Sequence, residues 1–495
     1  KGSFPTSCAP AVQPTFDRAV AMLHSFWFEQ ANAAFEDVAK RDPSCAMAHW
    51  GIAMTALGNP FVGQPLPEPR IRHALAALAT ADSLAKGATE RERLYIAAAA
   101  ALYEGALEGD KRPRNAGHEA AMKVVHERFP DDDEAALFHA RSIIAASPLS
   151  DTTFAGQLRA AAILEPLMAT HADHPGLAHY LIHTFDSPRL AKHGLAAAKR
   201  YADIAPAAPH ALHMPSHIFT RLGYWDESIA TNRRSAAAEP DSNAAVHPMD
   251  YMVYAYLQQG RDAEAGKVVA RAAESVDRFY LGILGYNFAA MHARYALERG
   301  KWEEATALRV PENASAFVQA VPRFARAIGH ARQGHAEAAR AEVIELGRLT
   351  EELRDRRDAY WATVVGAQKL AAEAWLARAE GRDDDALRLA RQAAELEETV
   401  EKHPVTPGPL VPARELQGEL LLELGRHAEA QAAFEKTLER EPRRARALYG
   451  AARSAELAGK KDAARKHYTA LASLMDRADP GRVEVGAARK FLAVR

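Results

Sequence analysis

Residues 425–434 read GRHAEAQAAF, and residues 459–468 read GKKDAARKHY. Gly425, Ala430 and Phe434 return 34 residues later as Gly459, Ala464 and Tyr468, with Pro442 between the two stretches. The glycine marks a turn between helices, the alanine sits where helices cross closely, and the aromatic ring fills the space between them. Pro442 breaks the chain between two helical hairpins. A period of about 34 residues with these marks is that of a stacked helix-turn-helix unit.

The pattern extends outward from this pair. Phe28 to Ala31, Phe35 and Asp42-Pro43 repeat the second-helix signature, and Trp50-Gly51 opens the next first helix. Further units are marked by Gly223 with Pro240, Gly260 with Ala265, Gly300 with Ala305, Gly334 with Ala339, and Gly381 with Ala386. Alanine-rich helical periodicity and the near absence of β-branched runs between turn signals predict an all-α fold. These residues resemble the tetratricopeptide repeat family, whose units carry Trp/Leu-Gly-Tyr on a first helix, Ala and an aromatic on a second, then Pro. The resemblance covers most of the chain, is degenerate in each unit, and implies an α-solenoid of helix-turn-helix repeats forming a concave superhelix.

Two proline-rich stretches punctuate the array, Asn59-Pro60 through Pro69 and His403-Pro404 through Pro412, and neither is rich in glycine and serine. The expected organisation is N-terminal hairpins over 1–58, a loop at 59–69, a main solenoid over 70–402, a break at 403–412 and a C-terminal repeat pair over 413–495.

The 495 residues carry 62 Lys+Arg against 64 Asp+Glu, a formal charge of −2. With both signs interspersed there is no basic face for a phosphate backbone or anionic lipid, so nucleic acid is not an expected partner. No stretch approaches the roughly 20 apolar residues of a membrane span. Arg443-Arg444-Ala445-Arg446 reads as a solvated face, and the Tyr251, Tyr254 and Tyr256 cluster as packing. The two cysteines, Cys8 and Cys45, would be joined in an exported protein and stay as thiols in a cytosolic one. Export, with a leader removed before Lys1, is the expectation, and a cytoplasmic location stays open.

Histidine is the one oddity of the composition. Nine of the 21 (His171, His174, His179, His183, His193, His210, His213, His217 and His247) fall within 77 residues. His179 and His183 are four apart, His213 and His217 are four apart, and the pairs are 34 residues from each other. Side chains at i and i+4 share a helix face, and residues one repeat apart occupy equivalent points on stacked helices, so four imidazoles should converge. Pro215, between His213 and His217, would kink or start a helix and loosen that pair. In the repeat resemblance these positions line the concave groove, which implies an accessible site. The next unit adds His247, Asp250 and Tyr254, with His247 beside His210 of the preceding unit and Asp186 on the face of His183.

Imidazoles with one or two carboxylates suit a transition metal, zinc or copper first, iron or nickel also. The metal ligands expected are His179, His183, His213, His217 and His247, with Asp186, His210, Asp250 and Tyr254 as outer partners or further ligands. Lone histidines such as His24 and His139 read as packed or surface residues, and Phe26, Trp27 and Phe28 as core or a pocket wall. No His-Glu-x-x-His, glycine-rich phosphate loop or nucleophile elbow occurs, so zinc-peptidase, nucleotide-dependent and serine-hydrolase chemistry have no support.

The runs His174 to His183 and His213-Met214-Pro215-Ser216-His217-Ile218-Phe219, with Cys45 to Gly51, are similar to a bacterial subfamily of exported tetratricopeptide proteins. That subfamily usually has Glu where Asp186 stands and Asn where Pro248 stands. The resemblance implies the site and names no reaction. Two functions follow as expectations: metal-dependent chemistry or metal handling on a small ligand, or a non-enzymatic scaffold holding a peptide or protein in its groove.

Overall fold

Gly223, Gly260, Gly300, Gly334, Gly381, Gly425 and Gly459 all take positive φ, between 62° and 78°. At each, the glycine N–H returns to the carbonyl three residues back and the next N–H to the carbonyl five back. Gly425 N to Leu422 O is 3.1 Å, and Arg426 N to Leu421 O is 2.9 Å. This left-handed cap satisfies carbonyls left bare at the helix end and turns the chain, so that the next helix starts two residues on. Phe26 (φ 54°) and Arg357 (φ 55°) make the same cap without a glycine.

The computed structural model describes residues 2–239, 245–274 and 282–493, and among the described residues every regular element is helical. Pro240, the expected end mark of the Gly223 unit, lies outside them. None of the described helices is long and apolar enough to cross a membrane. The chain divides into two units, residues 1–186 with 192–218, and residues 187–191 with 219–495.

The first unit begins with hairpins built on Gln13–His24, Phe28–Arg41, Ala46–Leu57 and Glu68–Leu84. Its core is aromatic: Phe4, Phe16, Phe35, Trp50, Tyr95 and Phe138 touch with ring centroids 4.9–6.5 Å apart. Gly51 lies flat against Phe35, where an added Cβ would come within 2.4 Å of the ring. Cys8 and Cys45 form a disulfide with Cα atoms 4.8 Å apart, tying the N-terminal segment to the start of Ala46–Leu57. The 58–67 stretch is a loop bounded by Gly58 and by Glu68–Leu84, with Leu66 N donating to Lys111 O at 2.9 Å.

The second unit repeats the same device. Phe434 sits against Gly450 as Phe35 sits against Gly51, with an added Cβ again 2.4 Å from the ring. The 403–412 stretch is ordered by Arg294, whose guanidinium donates to Thr406 Oγ1 (2.7 Å), Gly408 O (2.8 Å) and Pro409 O (2.7 Å). One expectation is corrected here. Arg444 is not on a solvated face but 0% exposed, donating to Glu415 at 2.6 Å and pairing with Glu298. A cation out of water persists only with such partners, and the spacing of arginines carries no sign of acids 29 and 146 residues away.

Candidate metal centre

The histidines that matter sit in the first unit on three short helical segments, each opened by a proline. Pro175–Thr184 begins with Pro175 at its first position, and His174 caps it through ring Nδ1, which accepts Gly176 N–H at 3.2 Å. His179 and His183 then share one face of this helix. Pro209–His213 ends as Pro215–Leu222 begins, so His213 closes one helix and His217 lies in the first turn of the next. The single-helix i,i+4 clamp expected for this pair is therefore corrected by Pro215, which lacks the N–H that would continue the helix. The two rings still face each other.

His179 Nδ1 donates to His24 O at 2.6 Å, which leaves the lone pair on Nε2, and that Nε2 stands 3.1 Å from Nε2 of His210. His183 Nε2 is buried and has no hydrogen-bond partner among the described residues. One ligand nitrogen from each of His179, His183 and His210 lies within 4.8 Å of the others. Nitrogens bound to one tetrahedral ion stand about 3.3 Å apart, so these rings need small rotamer adjustments rather than refolding to hold a metal. Beside them, His217 Nδ1 donates to Asp186 Oδ2 at 2.8 Å and its Nε2 lies 2.9 Å from Nε2 of His213. The partners assign these tautomers, because an N–H must point at each carbonyl or carboxylate.

Most of the site is interior rather than an open groove, with His210 alone of the five rings half-buried. His179, His183, His213 and His217 are all buried, His183 most open at 8%. Phe26 stacks on His210 (centroids 5.3 Å) and meets His179 edge-on (4.4 Å), Phe61 lies on His183 (4.3 Å), and Tyr201 stacks on His179 (5.3 Å). Burial pushes the His179 ring down to about 3, with Arg141 and the neighbouring imidazoles adding to it. Burial, then His179, His217 and His210, likewise hold His183 well below its ordinary value. Neutral rings keep their lone pairs, the form in which imidazole binds metal.

A second cluster was not legible in the sequence. Glu134 accepts from His24 Nε2 (2.7 Å) and from His174 Nε2 (3.1 Å), all three buried. Two histidines and a carboxylate are a metal-binding combination in general. Here, however, Tyr180 Oη donates to His24 Nδ1 (2.8 Å) and Gly176 N–H to His174 Nδ1, so each ring spends its lone pair on one side and its proton on Glu134. Burial alone would raise the Glu134 carboxyl, but the two imidazoles overcome it and keep it ionised. This cluster is a hydrogen-bonded support whose backbone oxygen, on His24, orients His179. Cys8 and Cys45, near Asp42, are committed to their disulfide.

Of the remaining expected residues, Asp250 and Tyr254 take other partners. Asp186 lies beyond the end of Pro175–Thr184 rather than on its face, and works through His217. Asp250 belongs to the second unit, 0% exposed, where it accepts from Arg294 (3.1 Å) and Asn287 (3.1 Å). Tyr254, in the same unit, has its hydroxyl between Glu441 and Arg444. His247, also there, packs edge-on against Tyr251 with centroids 5.2 Å apart.

Residues 28–60 and 416–483 match the family model of the tetratricopeptide repeat. Those two stretches carry tetratricopeptide repeats. No curated protein matches it in sequence. Among solved structures, human IFIT1, in its dimer with PPP-AAAA, is 11% identical over 88% of this chain and 91% of that one, with a TM-score of 0.42. Yeast Tom70 is 11% identical over 98% and 95%, with a TM-score of 0.37. A tetratricopeptide repeat protein from Parabacteroides merdae is 12% identical over 58% and 98%, with a TM-score of 0.31. Likenesses of this size carry nothing about function.

The repeat register explains one further residue. In the C-terminal repeat Gly425 precedes Ala430 and Phe434 by five and nine residues, and Phe26 precedes Ala31 and Phe35 by the same intervals. Phe26 thus occupies the turn-glycine position of its repeat, and its left-handed backbone aims the ring at the imidazoles. A bulky residue there is a strained choice that glycine would avoid.

Proposed function

We propose that this tetratricopeptide-repeat protein holds a transition metal, zinc or copper first, through His179, His183 and His210. It would use that metal to bind or transform a small ligand. The observation that carries the reading is the His183 Nε2 atom, buried without a hydrogen-bond partner, beside the facing nitrogens of His179 and His210. A buried ring nitrogen left unsatisfied is unfavourable by about 1–3 kcal/mol, and a metal ion on its lone pair removes that penalty. Three protein ligands leave a fourth position for water or a small ligand, the arrangement of catalytic rather than closed structural sites. The aromatic rings of Phe26 and Phe61 beside His183 and His210 favour a small or apolar ligand over a highly charged one.

Elemental analysis of untagged protein purified without chelator tests this. About one or more equivalents of zinc, copper, iron or nickel per chain is expected, and a His179→Ala/His183→Ala variant should lose at least one. Full metal content in that variant would remove these residues from the site. The second reading, a scaffold for a peptide or protein, rests on the repeats at 416–483, since such repeats serve that role in general. It predicts a partner whose affinity is unchanged by the same substitutions. Export to an oxidising compartment is part of the proposal, supported by the Cys8–Cys45 disulfide. Recovery of the native protein only from the cytoplasm, with alkylatable thiols, would contradict it.

A further inference from the structure

We infer that the site is dinuclear: His213 and His217 hold a second metal ion next to the one on His179, His183 and His210. The inference rests on the reading above and extends it to a second cation of the same imidazole-favouring class.

Two imidazole pairs in the first unit are built alike. In the pair His179/His210 the Nδ1–H of His179 is anchored on the His24 carbonyl, and the Nε2 atoms face each other at 3.1 Å. In the pair His213/His217 the Nδ1–H of His217 is anchored on the Asp186 carboxylate, and the Nε2 atoms face each other at 2.9 Å. An oxygen behind each ring fixes the tautomer so that the lone pair points forward, the arrangement that supports metal-bound histidine and raises its basicity. A carboxylate behind His217 does this more strongly than the carbonyl behind His179.

His183 stands between the pairs, its ring centroid 4.9 Å from His179 and 5.7 Å from His217. His210 and His213 are 6.1 Å apart. A run of five rings at these spacings would let two ions sit close enough to share a bridging ligand, as paired metals about 3.5–4 Å apart do. The competing account of His213 and His217 is a plain hydrogen bond, one Nε2–H donating to the other ring. It predicts no second ion.

The test uses the full chain, stripped with chelator and reloaded with copper(II) or zinc(II) alone. Wild-type protein should take up two equivalents, and His213→Ala/His217→Ala should take up one. Two bridged copper(II) ions couple, so the wild-type paramagnetic signal should fall well below its copper content, and the double variant should regain the signal of one isolated ion. Asp186→Asn keeps the shape and removes the carboxylate behind His217, so one of the two equivalents should weaken by about 10–100-fold. This variant and the wild-type coupling measurement decide the matter even where the double variant folds poorly. One equivalent in both wild type and double variant overturns the second ion and leaves the first standing. Two equivalents in the double variant moves the second ion to other residues and overturns the assignment. No uptake by wild type overturns the metal reading as a whole.

Discussion

Phe26 and Arg357 hold the same left-handed backbone, φ 54° and 55°, for different reasons. Each makes the turn that glycine makes at positions 223, 260, 300, 334, 381, 425 and 459. A side chain in this region carries a strain of about 1–2 kcal/mol. Arg357 is exposed, so Arg357→Gly should be neutral or stabilise the protein by up to about 1 kcal/mol, after the extra freedom glycine gives the unfolded chain. Phe26→Gly relieves the same strain but removes a buried ring from the imidazoles, and loss of a buried Phe is unfavourable by about 3–5 kcal/mol. Phe26→Gly should therefore lower the urea midpoint where Arg357→Gly leaves it unchanged or raises it, and on the proposed reading Phe26→Gly should also weaken metal binding. A Phe26→Gly protein as stable and as metal-tight as wild type would show that the ring has no part in the site.

At the scale of elements, helices Glu90–Ala101 and Asn115–Arg128 are joined by His118, buried, whose Nδ1–H donates to Ala98 O at 2.7 Å. Burial, with Arg141 nearby, pushes its pKa down to about 3, below the 6.5 of the unfolded chain. A depressed value means that the unfolded state binds the proton first. The stability from this neutral ring is fully present above pH 6.5 and is lost as pH falls from 6.5 towards 3. Full protonation would remove a few kcal/mol, on the order set by a shift of this size. Denaturant midpoints of wild type should fall steadily over that range, and less steeply in His118→Phe, which keeps the ring volume without the titration. Equal slopes would mean that other groups dominate acid unfolding. His139, lowered to about 4 by burial and then His126, acts in the same direction.

At the scale of the whole molecule, the proposed metal would link to the fold, because the candidate ligand nitrogens come from segments far apart in the chain. His179 and His183 sit on Pro175–Thr184, His210 on Pro209–His213, and His24, which orients His179, ends Gln13–His24. An ion bound only by the folded chain adds stability that grows with its free concentration, about 2.7 kcal/mol at 100 times its Kd. Loading should raise the melting temperature and slow amide exchange in Pro175–Thr184 and Pro209–His213, and chelator should reverse both. Unchanged exchange in those helices on loading would place any bound metal elsewhere.

The helical class, the repeat register and the phase of the histidines were legible in the amino-acid order because all three are periodic. Turn glycines recur, His179 and His183 share a face by the geometry of one helix, and Phe35 meets Gly51 as Phe434 meets Gly450. What lay outside any period had to come from the packed chain. His24 and Glu134 meet across 110 residues, Asp186 reaches His217 only because its helix ends at Thr184, and Arg444 is drawn inside by Glu415 and Glu298. Asp250, in phase with the histidines, went to Arg294 instead, since a buried carboxylate takes the strongest cation within reach. Local sequence determines which face a side chain occupies. Only tertiary packing decides which distant proton, lone pair or charge that face meets, and thereby which imidazoles keep a lone pair to offer a metal.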